Sequence, residues 1–480
     1  MRTDPEVAFL PAFEQHQRML TGALTPTELV ATYLERIDGF NPRLNAYINV
    51  DRAGAMERAS ELEGELRRGT VRSVLHGTVF AVKDQMRLRT LPTTGGSRVR
   101  APLGDRQATV VSRLEEAGAI LLGTLNTHEF HHGPTRVFPF GRPVNPWNVN
   151  HSTGGSSSGS ALAVAAGLCS FSLGGDTGGS IRAPASHCGV AGLKPTWSRV
   201  SRAGVIPLSA SLDCVGPLGR SVRDAAHVLE VVAGRDPSDS TSSSKPVPTW
   251  SDIASKADLR GVRIGLVEEL MVPDMTSEAV VATTQRAIEV LTELGAVVVP
   301  CSIPTLSDTR FISPALVASE TVEYHREALR TSYADFDENT RISMVVGALL
   351  PASLVTLAER LRANLAIQVS QALEQVDLLV GPTAGNTAPE LRDPPLIESA
   401  EVARTALFGV GRASGQHTRA YSFAGIPALS IPSGFDGSGL PVGLQLAAKH
   451  FGESQILSAA YAFERATDWH GRVPTGLSAG

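Results

Sequence analysis

The sequence predicts an α/β protein with a large mixed, mostly parallel central sheet covered by helices on both faces. Short apolar runs alternate with amphipathic helical patterns along the 480 residues, the signature of strands joined through helical crossovers. Hydrophobic residues make up 42% of the chain, enough to fill a sizeable core. No internal repeat interrupts the alternation.

Each element has its own justification. Thr25-Pro26-Thr27-Glu28 starts a helix, with Thr25 as N-cap, Pro26 at the first helical position and Glu28 completing a capping box. Leu29, Tyr33 and Ile37 follow at helical spacing, and Gly39 is expected to end the segment. VLHGTVFAVKD reads as a strand, apolar from Val79 to Val82 with Lys83 at its end. Residues 110–117 read as a helix, 119–122 as a strand, and 160–167 as a helix of small residues suited to close packing. Further on, 261–267 is a strand, 277–294 an amphipathic helix and 296–299 another strand. Leu354, Leu357, Leu361 and Leu365 mark one apolar helix face, and 376–380, 427–431 and 442–446 are short buried strands. Residues 235–248 are rich in Ser, Asp and Pro and are expected to form a surface loop, because the strands on either side can join one sheet. The expectation is a single domain over 1–480: N-terminal helices in 1–70, the chemistry-bearing motifs in 71–235, a surface loop in 236–258, and the rest of the sheet with pocket segments in 259–480.

Composition narrows the function. A net charge of −5 argues against electrostatic attraction to nucleic acid or anionic membranes. The expected partner is a small-molecule substrate, with no nucleic acid and no membrane, the chain being a monomer or homodimer. Cys169, Cys188, Cys214 and Cys301 show no paired spacing and read as free thiols in a reducing compartment. The first residues carry acids and a proline where a signal peptide needs an apolar core, so the expected location is cytoplasmic.

Three segments carry the chemistry. AVKD places Lys83, one of only five lysines, in an apolar strand; GGSSSGS contains Ser156; GGDTGGSIR contains Ser180. A serine hydroxyl needs a base to become a nucleophile, and Ser-Lys arrangements are a known alternative to Ser-His-Asp. Gly178 and Gly179 before Ser180 allow a tight turn whose N–H groups converge on one spot, the requirement for an oxyanion hole. By contrast, Lys83 alone reads as a snorkelling surface residue. GGSSSGS alone reads as a flexible loop or phosphate cradle, without the GK[ST] of a nucleotide loop. Asp84 and Asp176 read as loop caps or partners of arginines such as Arg182. His128-Glu129-Phe130-His131-His132 matches HExxH, but zinc binding by that motif needs several helical turns, and the segment runs from a strand into Gly133-Pro134. No metal is expected there. A zinc metallopeptidase through His128 and His132 is the third reading of the chain.

Taken together, GTVFAVKD, GTLNTHEF, FGRPVNPWN, GGSSSGSALAVAAG, GGDTGGSIRAPASHCGVAGLKPT, SLDCVGPLGRSVRDAA, DLLVGPTAG and AGIPALSIPSGF resemble the amidase signature family. The motifs stand in the family's order across nearly the whole chain, with the two serines 24 residues apart. The resemblance implies the amidase signature fold and a Ser–cis-Ser–Lys triad of Ser180, Ser156 and Lys83. It further implies an oxyanion hole from the N–H groups of Thr177, Gly178, Gly179 and Ser180, and no cofactor. It implies a serine amidohydrolase acting on small or medium amides, with carbamates as a further substrate class, through an acyl-enzyme on Ser180. The alternative it implies is a glutamine amidotransferase subunit that releases ammonia for tRNA-dependent transamidation. That subunit carries an acidic residue where Gly415 stands here, and Ser422 replaces the family's asparagine. Ser158 replaces a glycine of the serine-rich motif. The segments that differ most, 128–139, 197–202, 311–350 and 404–417, are the expected pocket lining, with Phe130, His131 and Arg199 as candidate substrate contacts.

Overall fold

Alternate residues of the strand Val79–Lys83 pack into different hydrophobic clusters. Val79 and Ala81 join Leu29, Leu62 and Leu162 on one face, while Phe80 and Val82 join Val111, Val228 and Phe463 on the other. Because side chains alternate along a strand, this sheet is covered by helices on both faces. The structure, a computed structural model, describes residues 5–101, 103–133, 135–399, 401–402 and 415–477.

Within those residues the sheet comprises β1 (Tyr47–Val50), β2 (Val79–Lys83), β3 (Ile120–Leu125), β4 (Phe171–Asp176), β5 (Ala191–Lys194), β6 (Cys214–Gly219), β7 (Arg263–Val267), β8 (Val297–Cys301), β9 (Leu378–Pro382), β10 (Ala428–Phe435) and β11 (Pro441–Ala447). Their order across the sheet is β1-β3-β2-β4-β6-β5-β10-β11-β9-β7-β8. Parallel pairing is confined to two blocks, β3-β2-β4 and β9-β7-β8. The remaining pairings are antiparallel, so the sheet is mixed with an antiparallel centre. That centre includes the β10-β11 hairpin, whose turn is closed by Asp436 Oδ1 accepting from Ser438 and Leu440.

The helix Pro26–Leu44 has the expected capping box at Thr25 and Glu28. It runs through Gly39 and Pro42 to Leu44, because proline so near a helix end forgoes only one bond; Asn45, in the left-handed region at φ 55°, closes it. The loop over residues 235–248 is pinned to the body: Asp236 accepts from Thr109 and Ser201, and Arg199 donates to the Lys245 and Pro246 carbonyls. The apolar face over 354–365 is split, with Leu365 in the core and Leu354 and Leu357 47% and 46% exposed. Among the described residues no single helix is long and apolar enough to cross a membrane.

The small-residue helix Ser158–Ala165 packs close to the strand ends. A Cβ on Gly159 would stand 2.5 Å from both the Ala46 carbonyl oxygen and the Asn126 nitrogen. Backbone cannot yield there as a flexible side chain would, so Gly159→Ala is expected to lower unfolding stability by about 1–3 kcal/mol, measured by urea denaturation.

Candidate active site

β2 and β4 are adjacent parallel strands, so Lys83 at the end of one and the turn after Asp176 at the end of the other open on the same edge. Lys83 is fully buried, not snorkelling, and its Nζ lies 2.7 Å from Ser156 Oγ. Burial lowers its pKa to about 7, against the opposing pull of the Asp213 and Asp176 carboxylates.

Ser156 follows a cis Gly155–Ser156 peptide bond. Its carbonyl accepts from Thr127 Oγ1 at 2.9 Å. The next residue ties this loop to the other serine: the Ser157 N–H donates to the Ser180 carbonyl at 3.1 Å, and Ser157 Oγ donates to the Gly175 carbonyl at 3.1 Å. Ser158 is a loop fastener, its hydroxyl donating to the Gly154 carbonyl.

The Ser180 turn is shaped by a buried carboxylate. Asp176 accepts from the Gly179 N–H at 2.7 Å and the Ile181 N–H at 3.2 Å, and pairs through both oxygens with Arg182 at 3.0 Å. Burial raises the Asp176 pKa, but Arg182 outweighs it, and the net shift is downward. Arg182 also donates to the Thr418 carbonyl, Gln445 and Ser422. Ser422 thereby belongs to the support of the turn. Gly179 has φ +133°, and a Cβ there would fall 2.1 Å from Thr418 Oγ1, so glycine is required on both counts.

The fourfold oxyanion hole needs correction. The Gly179 N–H is committed to Asp176, whereas those of Thr177, Gly178 and Ser180 make no hydrogen bond among the described residues. Three of the four expected donors are thus uncommitted.

Of the three candidate substrate contacts, only His131 faces open space. It lines a cavity of about 380 Å³ with Lys83, Thr177, Asp213 and Tyr324. Burial and the nearby Lys83 charge hold its pKa well below the ordinary histidine range. Phe130 is sealed in a core cluster against His325 and Phe336. Arg199 is locked in a buried ion pair with Glu453 at 2.9 Å and donates to the Lys245 and Pro246 carbonyls. Both are withdrawn from the cavity because their segments turn into the core. Arg202, in the same segment as Arg199, does line it.

The HExxH segment is one short turn, Glu129–His131, with His128 and His132 in extended backbone on either side. The two histidines therefore share no helix face, and no cluster of three or more potential ligands occurs among the described residues. Asp84 serves the loop, accepting from the Thr94 and Gly96 N–H groups; burial pushes its pKa to about 7. Of the four expected pocket segments, residues 404–414 and Pro134 lie outside the described residues.

Arg419, which no sequence motif singles out, borders a second cavity of about 370 Å³ with His132, Gly133 and Phe311. Only the packing of the helix Gln416–Phe423 against the Ser180 turn brings it to the site.

A profile of the amidase family matches residues 28–457. The chain belongs to the amidase signature family. It is similar to a glutamyl-tRNA(Gln) amidotransferase subunit of Moorella thermoacetica, 37% identical, covering 98% of this chain and 99% of the relative. Among solved structures it is similar to a bacterial aryl acylamidase of the amidase signature family, TM-score 0.86 and 26% identity over 98% and 99% of the two chains. It is likewise similar to the native peptide amidase of Stenotrophomonas maltophilia, TM-score 0.80 and 32% identity over 95% and 96%. The curated relatives overturn one expectation drawn from charge: a small-molecule partner without nucleic acid does not suit proteins named as subunits of a tRNA amidotransferase. Net charge describes a chain's own surface, and one subunit can serve a nucleic acid that another binds.

Removing one member of a buried ion pair strands the other charge. Arg182→Met is therefore expected to lower stability by about 3–5 kcal/mol and to abolish fluorophosphonate labelling of Ser180, measured by chemical denaturation and mass spectrometry.

Proposed function

We propose that this amidase signature enzyme cleaves the C–N bond of a carboxamide through an acyl-enzyme on Ser180. The observation that carries this is the 2.7 Å contact between buried Lys83 and Ser156, beside three uncommitted N–H groups. Neutral Lys83 accepts the Ser156 proton while Ser156 accepts that of Ser180. Ser180 Oγ then bonds to the carbonyl carbon, and the oxyanion is held by the N–H groups of Thr177, Gly178 and Ser180. The proton returns along the same path to the leaving nitrogen, the C–N bond breaks, and water releases the acid.

The first reading of the amide is glutamine's, with the released ammonia used in tRNA-dependent transamidation. The name shared by relatives 35–37% identical over nearly the whole chain supports it. A second reading, hydrolysis of an aryl or acyl amide, is favoured by a specific observation. Gly415 stands where the amidotransferase subunit has its acidic residue, and the Arg419 guanidinium packs over it: a Cβ on Gly415 would lie 3.4 Å from Arg419 Nε.

One assay tests both. Ammonia or amine release is measured from glutamine, a primary aliphatic amide, an anilide and an aryl carbamate. At least one amide is expected to turn over, with kcat/KM falling about 10³-fold or more in Ser180→Ala; glutamine leading the panel favours the first reading, the anilide the second. Turnover surviving in Ser180→Ala overturns the proposal.

A further inference from the structure

Arg419 stands at an unusual place. It lies on the first turns of the helix Gln416–Phe423, whose Thr418 hydroxyl donates to the Gly178 carbonyl at 2.7 Å. That contact fixes the helix against the turn carrying Ser180. The arginine side chain runs along the same turn: a Cβ on Gly178 would be 3.5 Å from Arg419 Cγ and 3.9 Å from Nε. A Cβ on Gly415 would be 3.5 Å from Cζ. Arg419 thus packs at contact distance along the Gly178 turn and over Gly415.

No anion of the protein meets it. Among the described residues no carboxylate pairs with Arg419, which is partly exposed; its partial burial lowers its pKa to about 10. Residues 403–414, which precede the helix, contain no Asp or Glu. Arg182, beneath the Ser180 turn, differs in this respect: it is paired with Asp176. A guanidinium is the group best shaped for a two-point grip on a carboxylate. Arg419 opens instead on the cavity of about 370 Å³, where Pro314, Val317 and Leu361 supply apolar walls and Ser343 a hydroxyl. A mainly apolar pocket with one cationic group near the reacting centre fits a ligand with a hydrocarbon body and one negative end.

We propose that Arg419 is the specificity-determining residue of this site and selects amides that carry a carboxylate near the scissile bond. The proposal rests on the amide-cleaving reading and deepens it by naming the substrate class. Arg419 binds the carboxylate and takes no part in the bond changes.

The test uses a matched pair, glutaramate and pentanamide, which differ in a terminal carboxylate. The wild-type protein should favour glutaramate in kcat/KM. Arg419→Met should lower the glutaramate-to-pentanamide ratio about 10- to 100-fold, and Arg419→Lys should restore part of it. Fluorophosphonate labelling of Ser180 verifies that each variant keeps a folded site. An unchanged ratio in a normally labelled Arg419→Met protein, or a wild-type preference for pentanamide, overturns the proposal. If the wild type turns over neither amide, the amide-cleaving reading is decided by the wider panel above, and binding decides the role of Arg419. In the Ser180→Ala protein, glutarate should then raise Tm, and adding Arg419→Met should remove that rise. No rise, or an equal rise in both proteins, overturns the proposal.

Discussion

The buried pair of Asp176 and Arg182 is the constraint on which the site depends. Both side chains are wholly withdrawn from solvent, an arrangement that is costly unless every donor and acceptor finds a partner. Here they do: the carboxylate takes two backbone N–H groups of the Ser180 turn, and the guanidinium reaches the 416–423 helix and β11. One interaction therefore fixes the backbone around Ser180 and the helix that closes over it. The same carboxylate commits the Gly179 N–H and leaves those of Gly178 and Ser180 uncommitted.

Lys83 extends the argument from shape to reactivity. A lysine in water is protonated at neutral pH and is no base. Enclosed between β3 and β4 with Ser156 as its hydrogen-bonding neighbour, it has a pKa near neutrality. The shift has a thermodynamic counterpart. The unfolded chain binds this proton up to the ordinary lysine pKa and the folded one releases it near 7, so this group makes stability rise with pH across that window. The site is held at the expense of stability at lower pH, and the Asp176 network and the sheet offset that cost.

Much of this was legible in the sequence, for identifiable reasons. The alternation of short strands and amphipathic helices marked the layers, and Thr25 and Glu28 marked a helix start because capping is a local interaction. Ser156 and Ser180 were legible because glycine and serine crowd around them at fixed spacing, and Lys83 because it is one of few lysines and sits in an apolar strand. What was not legible depends on distant segments. The commitment of the Gly179 N–H follows from where Asp176 turns, and the burial of Phe130 and Arg199 follows from His325, Phe336 and Glu453, far away in the chain. Arg419 has no motif, and only the docking of its helix on Gly178 gives it meaning. The prevalence of antiparallel pairing was hidden because a short apolar run reads alike in either direction. Charge, finally, described the chain and not the company its relatives keep.

The central claim is that a lysine neutral near pH 7 governs the nucleophilicity of Ser180. The most direct measurement is the rate at which a fluorophosphonate modifies Ser180 as a function of pH, in the wild type and in Lys83→Ala. The wild-type rate should climb through a midpoint near pH 7, as Lys83 loses its proton, and the variant should label slowly without that step. A wild-type rate that is flat across pH 5 to 9, or a variant labelled as fast as the wild type, would contradict it.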